Sequence, residues 1–240
     1  MKVIILSAGI GSRLNPLTKS IPKSMLLMDN NTTVLERTIN MINKHTNSEV
    51  IVVTGYCKDQ IEGCVSKFDN CKTVHNPFYR ITNSISSLWF AKEEMEDDLI
   101  IINADVVVEE NLFKYLLEVE SEAFVLYDSS IGSEADYKVS EKNGEVIVMS
   151  KELKSFSGEY VGITKLNKSE AIKLKDKIER MILNELVNEW YETALVDMIF
   201  TESFKLDAVD VAKYNWTEID NVNDLIKAKD IFRLENKGIR

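Results

Sequence analysis

The sequence predicts an α/β chain built on a mostly parallel, doubly wound sheet with helices on both faces. Three observations carry this. Continuous aliphatic runs recur at Val3-Ile4-Ile5-Leu6, Val50-Ile51-Val52-Val53 and Leu99-Ile100-Ile101-Ile102, and such runs suit strands covered on both faces. Strand and helix patterns alternate from residue 2 onward, which implies parallel strands joined by crossover helices. The first run also ends in a glycine turn, Ser7-Ala8-Gly9-Ile10-Gly11, at the sheet edge where ligands of such folds gather.

Taken in order, Val3–Leu6 is the first strand. Thr33-Val34-Leu35-Glu36 has the form of a capping box and predicts a helix to about Lys44, with Leu35, Ile39 and Ile42 on one face. Glu49–Thr54 is a strand ended by Gly55, followed by a helix to about Phe68. Cys71–His75 reads as a short strand and Asn76–Ser84 as a loop. Asn83 or Ser84 caps a helix to about Met95. Leu99–Asn103 is a buried strand that delivers Asp105 to the same edge as the glycine turn. A helix over Asn111–Leu117 and a strand over Ala123–Tyr127 follow.

Beyond residue 128 the pattern changes. Lys138-Val139, Asn143-Gly144 and Val146-Ile147-Val148 predict a β-hairpin, and Ser157–Ile163 a further strand. Asn167 caps a helix to about Val187. A helix over Tyr191–Phe200, a strand over Phe204–Val209 and a strand over Trp216–Asp220 come next. Asn221 caps a last helix to about Leu234, with a charged tail.

Composition narrows the function classes. The 240 residues are 45% hydrophobic, enough for a substantial core, and the formal net charge is −10. That balance argues against general binding to nucleic acid or to an anionic membrane, so cations that meet phosphate must be local. No apolar stretch approaches a membrane span. Met1-Lys2 leads directly into a strand-like run, which predicts no secretory leader. Cys57, Cys64 and Cys71 are odd in number and lack a C-x-x-C spacing, so neither a disulfide framework nor a zinc site is expected. A reduced cytoplasmic location fits.

The glycine turn carries the chemistry. A buried strand running into glycines exposes backbone N–H groups that hold an anion, and Arg13 and Lys23 beyond it add positive charge. The dinucleotide fingerprint would need a third glycine where Leu14 stands, and no Walker A run exists. The turn is therefore a polyphosphate cradle of another kind. Asp105 and Asp220 each end an apolar strand near it. Mg²⁺ is commonly held by one or two carboxylates plus substrate phosphates, so they form a candidate metal pair.

The stretch SAGIGSRLNPLTKSIPKSM resembles the signature loop of nucleoside-triphosphate-dependent nucleotidyltransferases. Gly9, Gly11, Arg13, Leu14, Pro16, Leu17, Thr18, Pro22 and Lys23 match G-x-G-x-R-L-x-P-L-T followed by P-K. The resemblance implies a Rossmann-like three-layer nucleotidyltransferase fold with a small β-hairpin acceptor lobe. It implies a single domain over 1–240, with an NTP-binding half at 1–127 and an acceptor-binding half with the C-terminal helices at 128–240. Leu6, Ala8, Gly9, Gly11 and Ser12 would line the nucleotide, Arg13 would bind the pyrophosphate portion, and Lys23 the phosphates at the reacting centre. Asp105 and Asp220 match the family's metal-binding acids, with Mg²⁺ as cofactor. Lys151 matches a second family lysine that neutralises the acceptor phosphate. The proline that usually follows is absent, and Lys138 competes for that role.

The segment Tyr79-x-x-Thr82-Asn83-Ser84-x-x-Ser87-Leu88 is similar to the nucleobase region of bacterial phosphocholine and aminoethylphosphonate cytidylyltransferases. It implies CTP as donor, with Asn83, Ser84 and Ser87 near the base. Phosphorylated glutamine is a further acceptor known in this group, in decoration of cell-surface polysaccharide. For the acceptor, Tyr160 and Trp216 offer aromatic faces to a quaternary ammonium, along with Trp190, Tyr191 and Tyr214. Glu159 and Glu192 would instead meet a primary ammonium. Two alternatives stay open at this stage: a sugar-1-phosphate nucleotidyltransferase using UTP or dTTP, and a non-catalytic nucleotide-binding regulator. Small-molecule substrates are the expected partners, and a homodimer is compatible with the sequence.

Overall fold

The computed structural model describes residues 1–237. In chain order the elements are β1 (Lys2–Ser7), α1 (Val34–His45), β2 (Glu49–Thr54), α2 (Lys58–Val65), β3 (Cys71–His75), α3 (Ser84–Phe90), β4 (Leu99–Asn103), β5 (Val106–Val108), α4 (Glu110–Glu118) and β6 (Ala123–Asp128). Then come β7 (Lys138–Lys142), β8 (Glu145–Ser150), β9 (Gly158–Leu166), α5 (Lys168–Leu183), α6 (Tyr191–Glu202), β10 (Asp207–Asp210), β11 (Trp216–Glu218) and α7 (Val222–Lys237). Among the described residues no helix is long and apolar enough to cross a membrane.

Among the described residues, nine strands form the central sheet, in the order β3-β2-β1-β4-β9-β6-β10-β8-β7. The pairs β1–β2, β1–β4, β2–β3 and β6–β10 are parallel. β9 runs antiparallel between β4 and β6. The mostly parallel sheet expected from the apolar runs is therefore present, with β9 reversed inside it and β8 reversed beside β10. β2 shows how the sequence dictates this position: five of its six residues are buried, which leaves no face for water and needs helices on both sides.

Alternate residues of each strand feed two cores. Ile4, Ile51 and Ile101 pack with Ile85 and Leu88 of α3, Leu174 of α5 and Leu195 of α6. Val3, Ile5 and Val52 pack with Leu35 and Ile39 of α1, Ile61 of α2 and Phe113 of α4. This is the three-layer arrangement. α1 begins at the predicted box: Glu36 N–H donates to Thr33 Oγ1 at 3.1 Å, and Thr33 N–H to the Glu36 carboxylate at 3.0 Å.

Several boundaries differ from the sequence expectation. α2 stops at Val65 rather than Phe68, because Ser66, Lys67 and Phe68 close tight turns back onto Glu62, Cys64 and Val65. α3 stops at Phe90, and a separate 3₁₀ turn covers Lys92–Glu94. α5 stops at Leu183, where Asn184 caps it and Glu185 takes positive φ. The strand expected at Phe204–Val209 is Asp207–Asp210. β5 went unpredicted: Val106-Val107-Val108 is short and follows an acid. The last helix reaches Lys237, and its expected charged tail continues into residues outside those described.

A third, smaller core positions the site. Leu14, Leu26 and Met28 from the segment after β1 pack with Val34, Val107, Ile219, Ala228 and Ile231. This core ties the phosphate-loop segment, the β5–β11 ribbon and α7 together.

Candidate active site

β1 and β4 are neighbours in parallel register, Leu6 opposite Asn103. The glycine turn after one and Asp105 after the other therefore emerge at the same edge. Asp220 arrives there by a different route. β11 pairs antiparallel with β5, Glu218 opposite Val106, and Ile219 N–H donates to the Asp105 carbonyl at 3.0 Å. Ile219 is fully buried in the third core, which fixes the register. One side chain then sets the turn after it: Asp224 Oδ2 accepts from the N–H groups of Asp220 and Asn221, both at 2.9 Å.

Lys23 closes the arrangement. Its ammonium lies 2.9 Å from Asp105 Oδ2 and 2.5 Å from Asp220 Oδ1. Burial alone would lower its pKa, but the two carboxylates outweigh that and hold it above the ordinary lysine value. Arg13 Nη1 reaches Asp220 Oδ2 at 2.7 Å and Asp136 Oδ2 at 3.4 Å. Gly11 makes room for Lys23. Its φ is +66°, and a Cβ there would come within 2.8 Å of Lys23 Cγ. Thr18 Oγ1 donates to the Gly11 carbonyl at 2.6 Å and folds the loop back on itself.

Asp105, Glu218 and Asp220 each present a carboxylate oxygen, all within 4.8 Å of one another. Burial, and then the charges of Asp105 and Asp220, push the Glu218 carboxyl well above its ordinary range. Three crowded hard oxygen donors suit a divalent cation such as Mg²⁺, and a cation placed among them would relieve that crowding. Glu218 went unassigned in the sequence reading. Its signal was the alternation in Trp216–Asp220, which puts Glu218 and Asp220 on one face of a strand.

A cleft of about 310 Å³ opens beside this cluster. Leu6, Ala8, Gly9, Gly11 and Ser12 line one wall, with Arg13, Lys23, Asp105 and Glu218. Asn83, Ser84 and Ser87 line it with Tyr79, Thr82 and Trp190. All eight residues expected around the nucleotide therefore face one cleft. Gly55 sits where a Cβ would meet the Ala8 carbonyl oxygen at 2.6 Å and Tyr79 Cβ at 2.7 Å, so the two walls approach through a position that tolerates no side chain. Asn76, fully buried, organises the second wall. Its Nδ2 donates to Ser87 Oγ at 3.0 Å and Thr82 Oγ1 at 3.2 Å, and its Oδ1 accepts from Phe78 N–H at 2.9 Å. Asn83 Oδ1 caps α3, and Ser84 Oγ accepts from Tyr191 N–H at 2.8 Å. The capping and wall-lining positions of these two residues coexist.

The six residues expected at the acceptor are spread more widely, and none lines this cleft. Lys151 lies at its border: its ammonium is 2.9 Å from Asp136 Oδ2 and 4.8 Å from the centroid of the Trp190 ring. Lys138 points elsewhere, donating to the Lys151 carbonyl at 2.8 Å and lying over Phe156. Glu159 Oε1 accepts from Asp136 N–H at 2.7 Å. Glu192 is 2% exposed, one of its carboxylate oxygens has no partner, and burial pushes its pKa up to about 8. Tyr160 and Trp216 stand in the core rather than in the cleft. Tyr160 hydroxyl bonds Tyr191 and Thr164. Trp216 is 4% exposed and its indole N–H donates to Asp128 Oδ2 at 2.7 Å. The spacing of aromatics could not separate such a core position from a binding one. Asp136, which joins Arg13 to Lys151, carried no sequence signal beyond a polar loop.

The family model described as "Nucleotidyl transferase" matches residues 2–151. The chain is 28% identical to the CTP:phosphoglutamine cytidylyltransferase of Campylobacter jejuni, over 94% of this chain and 98% of that one. It is 28% identical to the choline-phosphate cytidylyltransferase of Streptococcus pneumoniae, over 98% and 100%. A solved structure of the CTP:phosphocholine cytidylyltransferase from Streptococcus pneumoniae superposes with a TM-score of 0.80 at 24% identity, covering 96% of this chain and 98% of that one, which shows the shared fold. Because that family model covers more than half of its length, the chain belongs to the nucleotidyl transferase family.

Proposed function

We propose that the protein is a cytidylyltransferase that moves CMP from CTP to a small phosphorylated amine, amino acid or phosphonate and releases pyrophosphate. The observation that carries the reaction type is Lys23 seated between Asp105 and Asp220 at the rim of the glycine turn. Support for CTP and for a phosphorylated acceptor comes from relatives similar along their whole length. An oxygen of the acceptor phosphate attacks the α-phosphorus, a P–O bond forms, and the bond to the bridging oxygen breaks as pyrophosphate leaves. Both reactants are anions, so the barrier is largely repulsion and alignment, and fixed cations lower it.

The roles divide as follows. The backbone of Ala8–Ser12 cradles the triphosphate, Arg13 holds its pyrophosphate end and Lys23 faces the reacting phosphate. Asp105 and Asp220, with Glu218, would hold Mg²⁺. Bound there, the ion supplies charge neutralisation on the triphosphate. Lys151 takes the acceptor phosphate, and Lys138 supports it through its carbonyl. Residues 1–127 serve the nucleotide and 128–240 the acceptor, apart from Glu218 and Asp220, which reach back to the metal position beside Asp105. The test is product identification: CTP, Mg²⁺ and phosphocholine, aminoethylphosphonate or phosphoglutamine should yield a CDP-linked product by mass spectrometry. No such product with any of them, alongside a nucleotide sugar from UTP and a sugar 1-phosphate, would overturn the reading.

A further inference from the structure

One carboxylate oxygen joins the cation assigned to the donor to the cation assigned to the acceptor. Asp136 Oδ2 accepts from Lys151 at 2.9 Å and from Arg13 at 3.4 Å. The loop that carries it is anchored, since Asp136 N–H donates to Glu159 Oε1 at 2.7 Å and Ala135 beside it is 7% exposed. Lys151 is also restrained from the other side, by the Trp190 ring and by Lys138 on its carbonyl. Its ammonium is thus held on an internal anion, beside the Trp190 ring that lines the cleft, before any phosphate arrives. The two cations drawn onto Asp136 hold its carboxyl below the ordinary aspartate range against its own burial, so it stays charged.

We propose that Asp136 is a positioning residue that acts as an internal counter-anion: it pre-orients Lys151 and must be displaced from it by the acceptor's phosphate or phosphonate. This rests on the reading that Lys151 takes the acceptor phosphate. Two consequences follow from Coulomb's law. An incoming phosphate competes with a carboxylate already hydrogen-bonded to the same ammonium, so acceptor binding is weaker than an unpaired lysine would give. When the triphosphate draws Arg13 away, Asp136 is left to Lys151 alone, so the nucleotide and the acceptor phosphate oppose each other through one oxygen. Pairs of this exposure interact modestly, so the effect is a several-fold change in affinity.

The test uses the whole 240-residue chain saturated with CTP and Mg²⁺, which occupies the donor side, and inorganic phosphate as the probe, titrated calorimetrically. Asp136→Asn should tighten phosphate binding by about threefold, the scale expected of a partly exposed charge pair. In a Lys151→Ala background the same substitution should change nothing. In turnover, Asp136→Asn should lower the acceptor KM, where loss of a merely structural prop would raise it. Weaker or unchanged phosphate binding in Asp136→Asn, an equal gain without Lys151, or no measurable phosphate binding by either protein would overturn the proposal. The titration needs no turnover, so failure of the cytidylyltransferase reading would appear separately, as absence of a CDP-linked product.

Discussion

Gly11 and Lys23 touch across the phosphate loop so closely that a single added carbon on the glycine would lie 2.8 Å from the lysine Cγ. The glycine also takes φ +66°, a region that costs other residues about 1 kcal/mol or more. Gly11→Ala is therefore expected to displace the Lys23 stem and lower kcat/KM by about a hundredfold, the scale of an ångström misplacement at a reacting centre. Steady-state kinetics beside a thermal melt checks this. Near-normal activity would mean that Lys23 can be repositioned without loss.

Asp105→Asn and Lys23→Ala each remove part of one charge cluster. Both should lower the transfer rate by about two to three orders of magnitude. The cluster acts as a unit, so the double variant should lose far less than the product of the two single losses. Pyrophosphate release in the four proteins of the cycle reads this directly, and multiplicative losses would contradict it.

The two lysines of the hairpin lobe separate by what they touch. Lys151 faces Asp136 and Trp190, whereas Lys138 bonds a backbone carbonyl. Lys151→Ala should raise the acceptor KM by about tenfold, as loss of a charged contact does. Lys138→Ala should raise it only two- to threefold. Acceptor titrations at saturating CTP decide this, and the reverse ranking would exchange the assignments.

Glu192 makes stability depend on pH. Burial raises its folded-state pKa to about 8, from an ordinary value of 4.5. The unfolded chain releases that proton first, so this group's contribution to stability falls as pH rises from about 4.5 to about 8 and is flat beyond. Glu192→Gln removes the titration. The variant should gain stability relative to the parent on the order of 3 kcal/mol between pH 5 and pH 8. Urea unfolding at the two pH values measures it, and an equal difference at both would contradict the assignment.

How much was legible in the sequence varied with the kind of signal. β1, β2 and β4 were readable because strands covered on both faces leave unbroken aliphatic runs. The convergence of the glycine turn, Arg13, Lys23, Asp105 and Asp220 was legible because the turn and both aspartates follow apolar strands, and Arg13 and Lys23 stand at fixed distances in the loop after the first. The acceptor side was not, because its geometry is made by tertiary contact. Trp216 and Trp190 look alike as letters, yet one is locked onto Asp128 in the core and the other lines the cleft. Asn76 sits in a loop whose polarity hides that it is fully buried and ties Thr82 and Ser87 together. Asp136 gains its meaning only when residues 13 and 151 converge on it.

If this cleft transfers CMP to a phosphorylated acceptor, pyrophosphate must leave with each turnover. The most direct test is pyrophosphate release by the whole 240-residue chain with Mg²⁺, comparing CTP, UTP and dTTP, each with phosphocholine, aminoethylphosphonate, phosphoglutamine and glucose 1-phosphate. The predicted result is release with CTP and at least one phosphorylated amine, amino acid or phosphonate, abolished by chelation and lowered by about two to three orders of magnitude by Asp105→Asn. Release confined to UTP or dTTP with glucose 1-phosphate, or none under any combination, would contradict it.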